Sequence, residues 1–211
     1  MKKKRKPNCV VINYRIDRKN ALPTCVVINC RFEEGGSKRT SFYFLLRGIY
    51  MIENGVYIIK QEYFTKFEIL GCKFKDNKSG NRPTFCCLQD KYIKGLFWAI
   101  PTSKITQDKN MKRIKDYINM PTSTVASSYY HIGHTNIPCV FCISSTFPII
   151  DIYVEREYTI GGKHLIINDK LQTIQIRKKL GTILQAESKS PNRFEQKMTY
   201  IQEILKKELS N

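Results

Sequence analysis

The stretch at residues 95–104, GLFWAIPTSK, limits the folds open to this chain more than any other. It places an unbroken apolar run, including the only tryptophan, between a glycine and a proline. Such a run is typical of a strand buried on both faces, or of the first half of a buried helix. Because proline lacks the N–H that a sheet ladder needs, Pro101 favours a strand that ends there.

Two hydroxyls and an ammonium follow this strand, on Thr102, Ser103 and Lys104. In one interpretation, Thr102 and Ser103 only cap a helix over residues 102–115. In the other, a rigid strand end holds catalytic groups, with Lys104 supplying the positive charge that a phosphate needs. The two interpretations are compatible, since a helix N-terminus itself binds anions.

The net charge of +18 on 211 residues predicts a polyanionic partner: RNA, DNA or an anionic membrane face. Residues 1–50 hold 12 Lys and Arg against 3 Asp and Glu, which leaves +9 on residues 51–211. No apolar run approaches the length needed to span a bilayer, and no apolar stretch follows the basic N-terminus as it would in a secretory signal. We therefore expect a cytoplasmic protein without membrane association, whose cysteines are reduced.

Residues 51–211 read as a single mixed domain. The apolar patterns predict strands near residues 55–59, 84–88, 138–143 and 164–167. They also predict helices near residues 60–68, 169–185 and 193–209, the last two forming a C-terminal pair. Short strands and helices without alternating βαβ units indicate an α+β fold around a small, bent antiparallel sheet.

Residues 1–50 differ in composition from the rest of the chain and contain a repeat. The heptapeptide at residues 9–15, CVVINYR, recurs at residues 25–31 as CVVINCR. Two copies of this length cannot bury a core of their own. We therefore expect a basic extension with poor order and little tertiary contact.

Several kinds of site are not indicated by the sequence. It shows no acidic cluster suited to Mg²⁺ and no glycine-rich phosphate loop. The cysteine pairs at residues 86–87 and 139–142 lie in strand-like runs, where alternation points their thiols to opposite faces, so buried free thiols are favoured over zinc. The tetrapeptide HIGH at residues 131–134 matches a tRNA synthetase signature, which we interpret as coincidence in a chain of this size. No metal or cofactor is expected.

The remaining polar set is basic, hydroxylated and aromatic. RNA carries its own nucleophile, the 2′-OH, so a ribonuclease can work with a group that accepts or relays a proton, a cation and a donor to the leaving oxygen. Aromatic side chains can stack unpaired bases, and His131 is an acid–base candidate. Composition does not separate such an enzyme from a non-catalytic RNA-binding protein. The set comprises Tyr57, Tyr63, Arg82, Thr102, Ser103 and Lys104.

From residue 55 to about residue 208 the chain resembles the toxins of type III toxin–antitoxin systems, the ToxN/AbiQ superfamily, and most closely its CptN/TenpN branch. The matching features follow one another in order. They are two tyrosines six residues apart, the tripeptide NRP at residues 81–83 before an aromatic strand, GLFWAIPTSK, the run CVFCISSTFPI, and Tyr153, Glu155 and Tyr158 before the C-terminal helices.

The resemblance implies a compact SH3-like barrel of the Kid/MazF type with added helices. It implies a metal-independent endoribonuclease that leaves a 2′,3′-cyclic phosphate and is inhibited by a small repeat-derived RNA bound in its active site, the two forming a hetero-oligomer. By position, it assigns catalytic roles to Ser103, Thr102, Lys104, Arg82 and Tyr63. Candidates for RNA binding are Tyr57, Asn81, Lys109, Lys112, Arg113 and His131. In relatives the lysine often lies one residue later than Lys104, so Ser103 is the better-matched position.

The resemblance also suggests an origin for residues 1–50. Antitoxin repeats lie just upstream of such toxin genes, and a 16-residue protein repeat corresponds to a plausible nucleotide repeat. One hypothesis is that these residues are translated repeat DNA and that the toxin begins at Met51. The alternative is a genuine basic arm that binds RNA. Poor nucleotide repetition beneath the two copies would exclude the first.

Overall fold

The structure is a computed structural model that describes residues 9–11, 26–34, 37–45, 49–74, 82–105 and 110–210. The chain divides into two compact units, Met1–Tyr50 and Met51–Asn211. In the first unit, three strands form an antiparallel sheet in chain order: β1 (Cys9–Val11), β2 (Val26–Glu34) and β3 (Ser37–Leu45). The two repeat copies pair with each other, Cys9 opposite Cys30 and Val11 opposite Ile28. Whether this unit arises from repeat DNA stays a prediction.

The second unit is built on one antiparallel sheet. Its strands lie in the order β10-β4-β5-β6-β8-β7, and β9 also pairs with β6. Their bounds are β4 (Gly55–Ile59), β5 (Thr84–Gln89), β6 (Leu96–Lys104), β7 (His131–His134), β8 (Pro138–Phe141), β9 (Phe147–Ile150) and β10 (Val154–Glu157). A separate hairpin pairs β11 (Thr159–Ile160) with β12 (Lys163–His164). The mixed α+β class is confirmed, but the sheet formed by the described residues is not closed.

Four helices accompany this sheet in the described part of the chain. They are α1 (Gln61–Ile69), α2 (Asn110–Ile118), α3 (Lys170–Lys189) and α4 (Met198–Ser210). Asp169 caps α3, because its carboxylate accepts the backbone N–H of Gln172 at 3.0 Å. The predicted C-terminal helical pair is confirmed, although α4 begins five residues later than expected.

Strand β6 is the centre of the sheet and differs from the prediction at its end. Pro101 does not end it; β6 continues to Lys104, so Thr102 and Ser103 do not cap a helix, and the helix of this part of the chain, α2, begins only at Asn110. The first half of β6 pairs with β9 and the last three residues pair with β8. Pro101 lies where β6 changes from one neighbour to the other, and its carbonyl accepts the Cys142 N–H at 2.9 Å on that side. Its missing N–H therefore falls in a gap of the ladder, where none is needed.

Candidate active site and nucleic-acid interface

Arg82 and the end of β6 lie together, as the proposed chemistry requires. The Arg82 Nε donates to the Thr102 carbonyl at 3.0 Å. Thr84 pairs with Pro101, and continuing this register sets Arg82 opposite Ser103. The arginine is 7% exposed, so its charge lies at the margin of the core rather than in bulk water. Two segments twenty residues apart thus converge on one strand end.

The two hydroxyls beside Arg82 have different surroundings. Consecutive strand residues point to opposite faces, so Thr102 and Ser103 cannot face one ligand together. Thr102 is buried and its hydroxyl donates to the Pro83 carbonyl at 2.8 Å, which is a structural role. Ser103 is half-buried, and its hydroxyl makes no hydrogen bond with any described residue. Ser103 is therefore the hydroxyl that a substrate can reach, and the predicted hydroxyl pair is corrected to a single serine.

Lys104 ends β6 with an exposed side chain. It shares the face of Thr102, two residues away, while Ser103 points to the other face. The flexible stem of lysine lets its ammonium reach around the strand end, whereas Ser103 and Arg82 are held more closely by the sheet.

His131 lies on the same sheet, two strands from Thr102. Phe141 of β8 pairs with Thr102 on one side and with His131 on the other. The imidazole is 9% exposed, and burial, with a smaller contribution from the positive charge of Lys179, lowers the pKa of His131 to about 4. His131 is thus neutral near pH 7 and stabilises the sheet in that form. This environment does not favour His131 as a proton donor near neutral pH.

Tyr63 and Tyr57 are core residues, which corrects their expected catalytic and RNA-binding roles. Tyr63 is fully buried and its hydroxyl donates to the Pro148 carbonyl at 2.6 Å. Burial raises the pKa of Tyr63 well above its usual value. Tyr57 is also fully buried, and its hydroxyl accepts the Ile52 N–H at 2.8 Å. Neither ring is available to a base.

The other predicted RNA-binding residues fall into two groups. Asn81 and Lys109 lie outside the described residues. Lys112 and Arg113 are exposed on α2, whose apolar side chains Met111, Ile114, Tyr117 and Ile118 pack against a cluster of Tyr130, Val140 and Cys142. The basic side of α2 therefore faces solvent.

A cleft of about 350 Å³ beside α2 was not predicted from the sequence. Its aromatic lining is Phe74, Tyr117, Tyr129, Tyr130 and Phe194, and its polar lining is Lys73, Arg113, Ser144, Ser145, Glu195 and Gln196. These residues come from five separate segments, so no local pattern marks them. The nearest sequence signals are the YY pair at residues 129–130 and the SS pair at residues 144–145.

No group of three or more His, Cys, Asp or Glu side chains is arranged to hold a metal ion among the residues that the structure describes. Cys72, Cys139 and Cys142 are buried and form no disulfide, which confirms the prediction of free thiols for these three, and Cys86 is buried as well. Burial raises the pKa of Cys139 to about 11, so its thiol is unreactive near neutral pH.

No protein-family model matches the chain, and no curated protein matches it either. Among the described helices, none is both long and apolar enough to cross a bilayer.

Proposed function

We propose that this chain is a metal-independent endoribonuclease that cleaves RNA by attack of a 2′-OH on the neighbouring phosphodiester. The observation that supports this best is the convergence of Arg82 on the strand end that carries Ser103 and Lys104. A cation beside an unpartnered hydroxyl is what the reaction needs to hold a scissile phosphate. The +9 charge on residues 51–211 supports a polyanionic substrate.

The proposed step is balanced within the RNA itself. The 2′ oxygen forms a bond to phosphorus while the bond from phosphorus to the 5′ oxygen breaks, leaving a 2′,3′-cyclic phosphate and a 5′-hydroxyl. The proton leaves the 2′-OH and one is delivered to the 5′ oxygen. Ser103 relays and orients a proton at the phosphate, while the Arg82 guanidinium and the Lys104 ammonium stabilise the charge on the non-bridging oxygens. Tyr63, Thr102 and His131 have no part in it.

The family resemblance adds three finer proposals. The open antiparallel sheet corresponds to a barrel-like core of the Kid/MazF type. A small repeat-derived RNA occupies the same strand end and inhibits the enzyme. Enzyme and inhibitor RNA assemble in the cytoplasm. The exposed basic residues Lys104, Lys112 and Arg113 support an RNA inhibitor, since phosphates dominate the affinity of such complexes.

A second candidate is a non-catalytic RNA-binding protein that uses the same basic surface. The observation that favours it is that three expected catalytic groups are buried. The hydroxyls of Tyr63 and Thr102 donate hydrogen bonds to backbone carbonyls, and His131 is buried and neutral. Binding would then need only Arg82, Ser103 and the exposed lysines.

Cleavage of end-labelled RNA by the full chain in EDTA separates the two candidates. We expect wild-type protein to cleave and Ser103→Ala to lose at least about 100-fold in rate. Ser123→Ala, which removes an exposed turn hydroxyl, is the matched control and keeps wild-type activity. A cyclic phosphate on the new 3′ end identifies the 2′-OH as nucleophile.

Lysine variants test the assignment of positive charge. Lys104→Gln removes the ammonium at the end of β6, and Lys94→Gln removes an exposed ammonium just before the same strand. We expect cleavage to fall only in the first. Binding of RNA without cleavage by wild-type protein would reject the nuclease and leave the RNA-binding alternative, whereas equal cleavage by Ser103→Ala would reject the catalytic role of Ser103.

A further inference from the structure

We infer that the cleft beside α2 binds an unpaired RNA base next to the phosphate held at Ser103. This inference deepens the proposed function, because it names single-stranded RNA as the substrate and provides the subsite that recognises it. The cleft is defined by Tyr117, Tyr129, Phe194, Arg113 and the serine pair at residues 144–145.

The aromatic walls are suited to a planar ligand. Tyr129 is the central ring: its centroid lies 5.3 Å from Tyr117 and 6.2 Å from Phe194. The three side chains are each half-buried, so part of every ring remains open to the cleft. A volume of 350 Å³ accommodates a nucleobase with its sugar. Aromatic rings exposed in this way bind unpaired bases of any sequence by stacking.

The polar lining matches the remainder of a nucleotide. Arg113 and Lys73 stand at the cleft with exposed side chains, as phosphate binding requires. The hydroxyls of Ser144 and Ser145 make no hydrogen bond with any described residue and can contact a base edge or a 2′-OH. Glu195 is the single acidic residue of the lining, so the cleft keeps an excess of positive charge.

The cleft and Ser103 lie on one face of the sheet. Ser103 pairs with Val140, and Val140 packs with Tyr130 in the cluster that α2 covers. Tyr130 and Tyr117 also line the cleft. Val140 also pairs with Ile132, so two strand spacings of about 4.8 Å separate Ser103 from Ile132, and Tyr130 lies two residues before Ile132. The Cα atoms of Ser103 and Tyr130 are therefore roughly 12 Å apart. Ser103 and the cleft are therefore close enough for a single RNA strand to reach both.

The test uses the full chain carrying Ser103→Ala, so that the RNA stays intact, and short single-stranded RNAs with 2-aminopurine at each position in turn. We expect fluorescence quenching on binding at one position, and loss of that quenching in Tyr129→Leu and Phe194→Leu. Affinity should fall about 5- to 140-fold, which corresponds to the loss of one base–aromatic stack. Tyr92→Leu removes an 86% exposed ring elsewhere and should change neither quantity.

Charge and ligand controls complete the design. Arg113→Gln should weaken binding and reduce the salt slope by about 0.7, while Lys115→Gln on the opposite side of α2 should affect binding less. AMP at millimolar concentration should not displace the RNA. Displacement by AMP would assign the cleft to a free nucleotide and overturn the inference.

Unchanged quenching and affinity in both aromatic variants would also overturn it, as would destabilisation of the fold without loss of quenching. The last result would mean that the rings form only a structural cluster. These outcomes are independent of cleavage: a protein that never cleaves RNA but shows the expected quenching rejects the nuclease and retains the base subsite.

Discussion

Gly133 offers the sharpest test of how the sheet edge beside His131 is held. A Cβ added at Gly133 would lie 2.3 Å from the Gln172 Oε1, so the amide must retreat by about 1 Å to reach ordinary contact. That amide makes two hydrogen bonds with His134, accepting its N–H and donating to its carbonyl, each at 2.8 Å. Moving the Gln172 amide away from Gly133 breaks both hydrogen bonds.

The expected cost follows from those two bonds. At about 0.5–1.5 kcal/mol each, Gly133→Ala should lower the free energy of unfolding by about 1–3 kcal/mol. Gln172→Ala loses the same bonds and should cost a similar amount. In the Gln172→Ala background the clash with the amide is absent and only the His131 Cδ2, at 3.3 Å, stays close, so adding Gly133→Ala should cost little further. The coupling between the two substitutions is therefore about 1–3 kcal/mol.

Urea unfolding followed by fluorescence of Trp98, the only tryptophan and a buried one, measures all four proteins. Gly181→Ala is the control glycine: nothing lies within 4 Å of its added Cβ, and in the middle of α3 it should raise stability by up to about 1 kcal/mol. Additive costs at Gly133 and Gln172, within about 0.5 kcal/mol, would refute the proposed clash.

Three further predictions concern Tyr63, Thr102 and His131, which were expected at the site and are buried in the structure. Tyr63→Phe should lower stability by about 1–2 kcal/mol in urea unfolding, because it leaves the buried Pro148 carbonyl unpaired, and RNA cleavage should be unchanged. Thr102→Val should cost about 1 kcal/mol for the lost bond to Pro83 and should also retain cleavage; its inactivation would return this hydroxyl to the mechanism. Because the pKa of His131 is about 4 in the folded chain and near 6.5 when unfolded, only the unfolded state gains a proton as the pH falls from about 6.5 to 4, and stability should drop by at most about 3 kcal/mol. His131→Asn should flatten that pH dependence in urea titrations, and an unchanged slope would contradict the assignment.

The strands of the second unit were predictable because each carries a short apolar run with recognisable ends. The family resemblance predicted that Arg82 lies beside the end of β6. The hydrogen bond from the Arg82 Nε to the Thr102 carbonyl agrees with that prediction. The extent of β6 was not predicted. Pro101 ends a ladder only when its missing N–H faces a partner, and here it faces the gap between β8 and β9.

The tyrosines show why aromatic residues near a proposed site are ambiguous in sequence. Tyr63, Phe64 and Phe67 follow helical spacing, and that spacing is the same for a core stripe and for a binding face. In the structure Tyr63 packs against Phe147 and Tyr153, which lie more than eighty residues away. Only these distant contacts distinguish the two roles.

Composition and local pattern determined three properties of this protein: a strongly basic chain, a mixed α+β class and a hydrophobic strand leading to Ser103. Tertiary structure alone decided which hydroxyl remains accessible, that His131 is neutral, and that five separate segments form an aromatic cleft. The physical reason is that charge and apolar periodicity belong to each segment by itself. Accessibility and pKa instead depend on neighbours brought together by folding, and no local pattern records them.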